Sequence, residues 1–232
     1  MSDANAIARF SISCIAAIVA TTPAIAETPR ELLTTAAFQT QDKAKALALV
    51  GQAISASEKI LASRPNDHEA TLQRGVAIGY RAKLTRSRSD ARASLDIFEA
   101  LAARDAKDAE AQMVIAGWHL DAIDQLGSFM ARTVLGAKAQ TGEVALARAV
   151  SLGGQRAFFS GLAAMMQIRL DSDNVAKARK LAEAAATAQS PTPLDALMKR
   201  NAVAILPALR ASNGKAAAAL AKKLLPFGTL RS

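Results

Sequence analysis

One short stretch of the chain mixes residue types that could share chemistry: Trp118, His119, Asp121 and Asp124. An imidazole among carboxylates is the raw material of acid–base catalysis or of a metal site. On a helix Asp121 and Asp124 share a face at i, i+3, while His119 belongs to another side. No His-Glu-x-x-His spacing occurs, and the whole sequence holds two histidines and one cysteine, so no metal centre is expected. There is also no Gly-x-Ser-x-Gly elbow and no glycine-rich phosphate loop. The expectation is therefore a non-enzyme with no catalytic residue and no cofactor, in which His119 is a structural histidine hydrogen-bonded between helices.

A second cluster is electrostatic. Arg81, Lys83, Arg86, Arg88 and Arg92 put five cations into twelve residues, followed by seven acids against two bases from Asp96 to Asp124. A cationic loop of this kind suits an anionic membrane surface or an acidic partner segment. The simpler reading, which the pattern favours, is a solvated loop between helices that faces the acidic neighbour. Third comes Phe158, Phe159, Met165 and Met166, in a segment apolar on nearly every side, as a helix enclosed by others must be. Methionines of that kind can also line a ligand cleft.

These residues need elements to hold them. Of the 232 residues, 51% are hydrophobic but only 4% aromatic, and about a quarter are alanine. Such a composition is too apolar for disorder and suits close-packed helices. No apolar run reaches the ~20 residues that span a membrane. Residues 1–26 follow the order of a cleavable signal peptide: Arg9, an apolar stretch containing Cys14, then small residues at Ala24 and Ala26. Cleavage between Ala26 and Glu27 would remove the only cysteine and leave one domain, 27–232, in the periplasm or outside the cell. The net charge of +9 would ordinarily suggest nucleic acid. An exported chain without interleaved aromatics makes that partner improbable.

Beyond Glu27 the punctuation is that of helix termini. Helices are expected from Thr28-Pro29 to about Phe38, from Asp42 to Ser63, and from the Arg64–Asp67 break onward. Others follow from Ala91 to Arg104 and from Asp108 toward Met130, with a break near Gly127. Later breaks are expected at Thr141–Gly142, Gly153–Gly154, Asp171–Asn174, Ser190–Pro193 and Asn213–Gly214, giving about ten helices in an all-α fold.

Some of these segments echo one another. Glu69-Ala70 superposes on Glu110-Ala111, and Gly75 on Ala116, with an offset of 41 residues; Asp195-Ala196 is a weaker echo. Residues 65–120 resemble tetratricopeptide repeats, with an inter-repeat loop at Pro65 and a helix pair carrying Gly75, Tyr80, Phe98 and Leu101. The offset exceeds the ~34 residues of that family by an insertion near Arg81 to Arg88. Residues 140–225 keep the helix pairing without the motif. The resemblance implies an antiparallel helix-hairpin solenoid whose first helices form a concave face. Its groove positions would be Glu69, Leu72, Val76, Gly79, Tyr80, Glu110, Met113, Gly117, Leu120 and Asp121. The expected role is an interaction module for a protein or peptide in the cell envelope. The alternative is a small-molecule or lipid-binding accessory of a transport system, which would require an enclosed pocket near Trp118, Phe158 and Phe159. The sequence leaves the oligomeric state open.

Overall fold

A computed structural model describes residues 27–231; the expected signal segment, Cys14 and the Ala26 side of the cleavage point lie outside the described residues. Eleven helices are present among them: α1 (Pro29–Phe38), α2 (Lys43–Ser63), α3 (His68–Thr85), α4 (Arg88–Arg104), α5 (Ala109–Leu126), α6 (Ser128–Leu135), α7 (Ala139–Leu152), α8 (Ala157–Leu170), α9 (Val175–Thr187), α10 (Pro193–Arg210) and α11 (Gly214–Leu224). Their starts follow the capping chemistry in the sequence. Thr28, Asp42, Asp67, Ser87, Asp108, Thr192 and Asn213 each accept a hydrogen bond from a backbone N–H of the first turn. Pro29 and Pro193 occupy first-turn positions, where a missing N–H costs nothing.

Successive helices pack on each other, α1 on α2, α3 on α4, α8 on α9 and α10 on α11; α5 takes α7 as its main neighbour, and α6, which comes between them in the chain, packs on α5 and α4. The helix at the centre is α8. It is buried on almost every side, from Phe158 through Met165 to Ile168, and touches α5, α7, α9, α10 and α11. A first apolar core surrounds it, and a second joins α1, α2 and α3.

The chain end returns to that second core. After α11, Leu225, Phe227 and Leu230 pack back across the molecule. The Phe227 N–H donates to the Ala37 carbonyl at 2.7 Å, and the Arg231 N–H to that of Gln41 at 2.9 Å. The Phe227 ring meets Tyr80 edge-on at 4.9 Å. Residues 225–231 thus form a strap that joins the last helix to the first.

Two expectations about helix ends are corrected. Thr141–Gly142 is no break: both lie inside α7, where an added Cβ on Gly142 would stand 2.8 Å from the Leu120 side chain. That glycine serves close approach of α7 to α5, not chain reversal. Likewise, the insertion at Arg81–Arg88 is not a loop. It lengthens α3 to Thr85, leaving only Arg86 and Ser87 as the turn into α4. The expected weak point at Gly127 is a real corner, with φ +75°, and it separates α5 from α6 as the eleventh helix.

Candidate functional site: an apolar cavity between two charged ends

The starts of α1, α3, α5, α8 and α10 lie side by side, tied by an alternating chain of acids and bases. Glu69 accepts from Arg30 at 2.6 and 2.7 Å, and Arg30 also donates to Glu110 at 2.6 Å. Glu110 in turn accepts from Arg156 at 3.0 Å, and Arg156 donates to Asp195 at 3.2–3.3 Å. The sequence echo of Glu69, Glu110 and Asp195 is this ladder seen along the chain. Each of the three carboxylates sits in the first turn of a helix, where the macrodipole favours negative charge. His68 Nε2 and Asp108 add a parallel link between α3 and α5 at 2.6 Å.

Asp195 is the anchor of the ladder. Its side chain is fully buried, and it accepts from Arg156, from the Thr192 hydroxyl at 2.6 Å and from the Phe158 N–H at 3.1 Å. Burial pushes this carboxyl up, but those three donors outweigh it and hold it below the usual carboxylate range. At Arg30, burial opposes the charge, and the hydrogen bonds it donates to Glu69 and Glu110, with their negative charge, more than restore it, so the guanidinium stays charged.

A second network ties the other ends of α3, α5 and α8. Lys83 donates to Asp121 at 2.8 Å, and Arg169 donates to Asp121 at 3.3 Å and to Asp124. Asp121 and Asp124 do share a face, as their spacing predicts, and the group between them is Arg169. His119 is 4% exposed and faces away, its Nδ1 accepting the Lys138 N–H at 3.3 Å. Burial and then the charge of Lys138 lower its pKa, so it is held as a neutral imidazole. Among the described residues no group of histidine, cysteine and carboxylate side chains is arranged to hold a metal.

Between the two networks lies a cavity of about 630 Å³. Leu72, Val76, Gly79, Tyr80, Glu110, Met113, Gly117, Leu120 and Asp121 all line it, nine of the ten groove positions. The tenth, Glu69, stands outside in the ladder. Further apolar lining comes from elements the repeat pattern does not reach: Leu33 and Phe38 of α1, Phe158, Leu162 and Met166 of α8, Met198 of α10, and Leu225 and Pro226 of the strap. Trp118 lines it too, with its indole N–H donating to the Ala91 carbonyl at 2.7 Å. Phe159 does not. Its ring covers Gly153 on the far side of α8, with Arg156 5.3 Å from its centre.

The five clustered cations do not form one patch. Arg81 is paired with Asp90 at 2.7 Å, Lys83 turns inward to Asp121, and Arg92 reaches the Val134 carbonyl of α6 at 3.4 Å. Arg86 and Arg88 remain, lining the same cavity as Leu126, Met130, Val134 and Leu135. Exposure of Arg86, Arg88, Leu126 and Met130 marks this rim as the mouth. The sequence reading marked Asp195 as an echo of Glu69 and Glu110 without a role and missed Arg30, Arg156 and Arg169; of these three only Arg156-Ala157 repeats the charged-residue-then-alanine pair at a helix start that could have pointed to it. The chain matches no protein-family model, no curated protein and no solved structure.

Proposed function

We propose that this chain is an exported, non-catalytic binding protein of tetratricopeptide-like helix-hairpin build, whose concave face holds an apolar or amphipathic small molecule. The observation that carries the reading is the cavity itself. Leu225 and Pro226 line it together with apolar side chains of α1, α3, α5, α8 and α10, and its volume is about 630 Å³. That volume is within the range of small-molecule pockets, and an interior mostly apolar with a few polar groups is their usual lining. An extended peptide would call for an open groove, and the apolar lining shared by five helices and the strap favours a small molecule over the interaction module expected from the sequence. Support for the solenoid reading comes from the succession of helix pairs and from the side-by-side starts of α1, α3, α5, α8 and α10.

Trp118 supplies the measurement, since it is the sole tryptophan and lines the cavity. Titration with the neutral dye N-phenyl-1-naphthylamine is expected to give saturable energy transfer from Trp118. A Gly117→Leu variant is the control: Gly117 lines the cavity and an added Cβ there has nothing within 4 Å, so the larger side chain takes up cavity space. It should keep the fold and lose the dye. Absence of saturable transfer in the unaltered protein would remove the small-molecule reading. Export rests on residues 1–26 alone, and N-terminal sequencing of protein expressed with them is expected to read from Glu27.

A further inference from the structure

The two ends of the cavity are electrically unequal. At the ladder end the lining charges are Arg30 and Glu110, and each is engaged by partners on both sides. At the mouth the lining holds four cations, Lys83, Arg86, Arg88 and Arg169, against two carboxylates, Asp121 and Asp124. Those two acids are taken up by Lys83 and Arg169. Arg86 and Arg88 form no ion pair among the described residues, and both are exposed at the rim.

Arg86 adds an independent observation. It caps α3 with φ +61° and ψ +30°, the left-handed conformation in which glycine is the usual residue. A bulky side chain held there is strained. Its backbone position needs no side chain at all, yet an arginine stands there with its guanidinium free at the mouth.

We infer that the ligand is a single-chain amphiphile with an anionic head, such as a long-chain carboxylate, its head held by Arg86 and Arg88 and its chain running inward past Trp118 toward Phe158 and Met198. Two guanidinium groups lining one mouth suit a carboxylate because their planar forks donate in pairs. Beyond the rim the lining turns apolar, through Val114, Trp118, Leu162 and Met166 to Leu72 and Met198, which suits a hydrocarbon chain. A cationic head would meet uncompensated positive charge, and a neutral one would leave both arginines unpaired. The polarity of the ligand rests on the cavity reading above.

The experiment separates the two. Laurate, 1-dodecanol and dodecyltrimethylammonium share a twelve-carbon chain, and each is measured by displacement of N-phenyl-1-naphthylamine from the chain beginning at Glu27. Laurate is expected to bind about tenfold more tightly than dodecanol, with the cationic amphiphile weakest. In an Arg86→Gly/Arg88→Gln variant the dye should bind as before while laurate and dodecanol become equal. Arg86→Gly relieves backbone strain, so lost laurate preference with an undiminished melting temperature assigns the effect to the missing head contacts and not to a damaged fold. Equal binding of laurate and dodecanol by the unaltered protein, or an undiminished preference in the variant, would overturn the anionic-head assignment while leaving the cavity reading intact. Failure of the dye itself to bind would remove both.

Discussion

Arg86 at the cavity mouth and Asp195 in the ladder of helix starts have energetics that run in opposite directions. The left-handed backbone at Arg86 costs about 1 kcal/mol for a residue with a Cβ, so Arg86→Gly is expected to raise the melting temperature by a few degrees. Asp195→Ala should do the reverse. It removes the acceptor of Arg156, Thr192 and the Phe158 N–H in a fully buried position, at a cost of about 3 kcal/mol in chemical denaturation. Because the folded Asp195 pKa is depressed, its contribution is present above about pH 4 and lost as the pH falls through the folded value. His119 has a depressed pKa as well, but for an imidazole kept neutral by burial. The unfolded chain takes up a proton near pH 6.5 that the folded chain refuses, so stability is full above that pH and declines below it. Comparing melting temperatures at pH 7.5 and 5.5 should show a loss that shrinks in His119→Gln.

Helix packing is set by where small residues allow backbones to meet. A Cβ added at Gly161 would stand 2.7 Å from the Met198 carbonyl oxygen, and backbone cannot swing aside as a side chain can. Gly161→Ala is therefore expected to force α8 from α10 and destabilise by about 1–3 kcal/mol. Gly51 is the contrast. It lies exposed within α2 with nothing near an added Cβ, so Gly51→Ala should stabilise by about 1 kcal/mol through helix propensity alone. Urea unfolding of the two variants measures both signs. Between these cases stands Gly75, where a Cβ would fall 2.6 Å from the Phe98 ring; this is the α3–α4 approach that the repeat resemblance implies. The odd element is α6. It buries only Ala131, and Phe129 is 70% exposed, so its place beside the mouth is held by few contacts.

At the scale of the whole molecule, the strap ties the segment after the last helix to the first helix and its following turn. It buries Leu225 and Phe227 and gives two backbone hydrogen bonds to the segment from Ala37 to Gln41. Ending the chain at Leu224 removes two large apolar side chains worth about 2 kcal/mol each, with the hydrogen bonds in addition. Such a truncation is expected to speed amide exchange in α1 ahead of α8, and to weaken dye binding by removing Leu225 and Pro226 from the cavity lining. Unchanged exchange in α1 would show that α1 is held by α2 and α3 alone.

The sequence by itself determined the helices, because capping residues, prolines and alanine-rich periodicity act within a few residues of one another. Thr28, Asp42, Asp67, Asp108 and Thr192 announced their helices, and the Glu69–Glu110–Asp195 echo announced a shared position. Local signals also misled: glycine at 142 looks the same whether it ends a helix or lets one pass close to Leu120, since only the neighbour distinguishes the two. The repeat pattern placed nine positions of α3 and α5 that line one cavity. The strap beside it was not legible, because it depends on Phe227 meeting Tyr80 and Ala37, well over a hundred residues away in the chain. The fate of the five clustered cations was decided the same way. Spacing grouped them, but tertiary structure paired Arg81 and Lys83 with acids, turned Arg92 to α6, and left Arg86 and Arg88 at the mouth. Charge in a sequence is a sum, whereas charge at a site is what remains after partners from other helices have arrived.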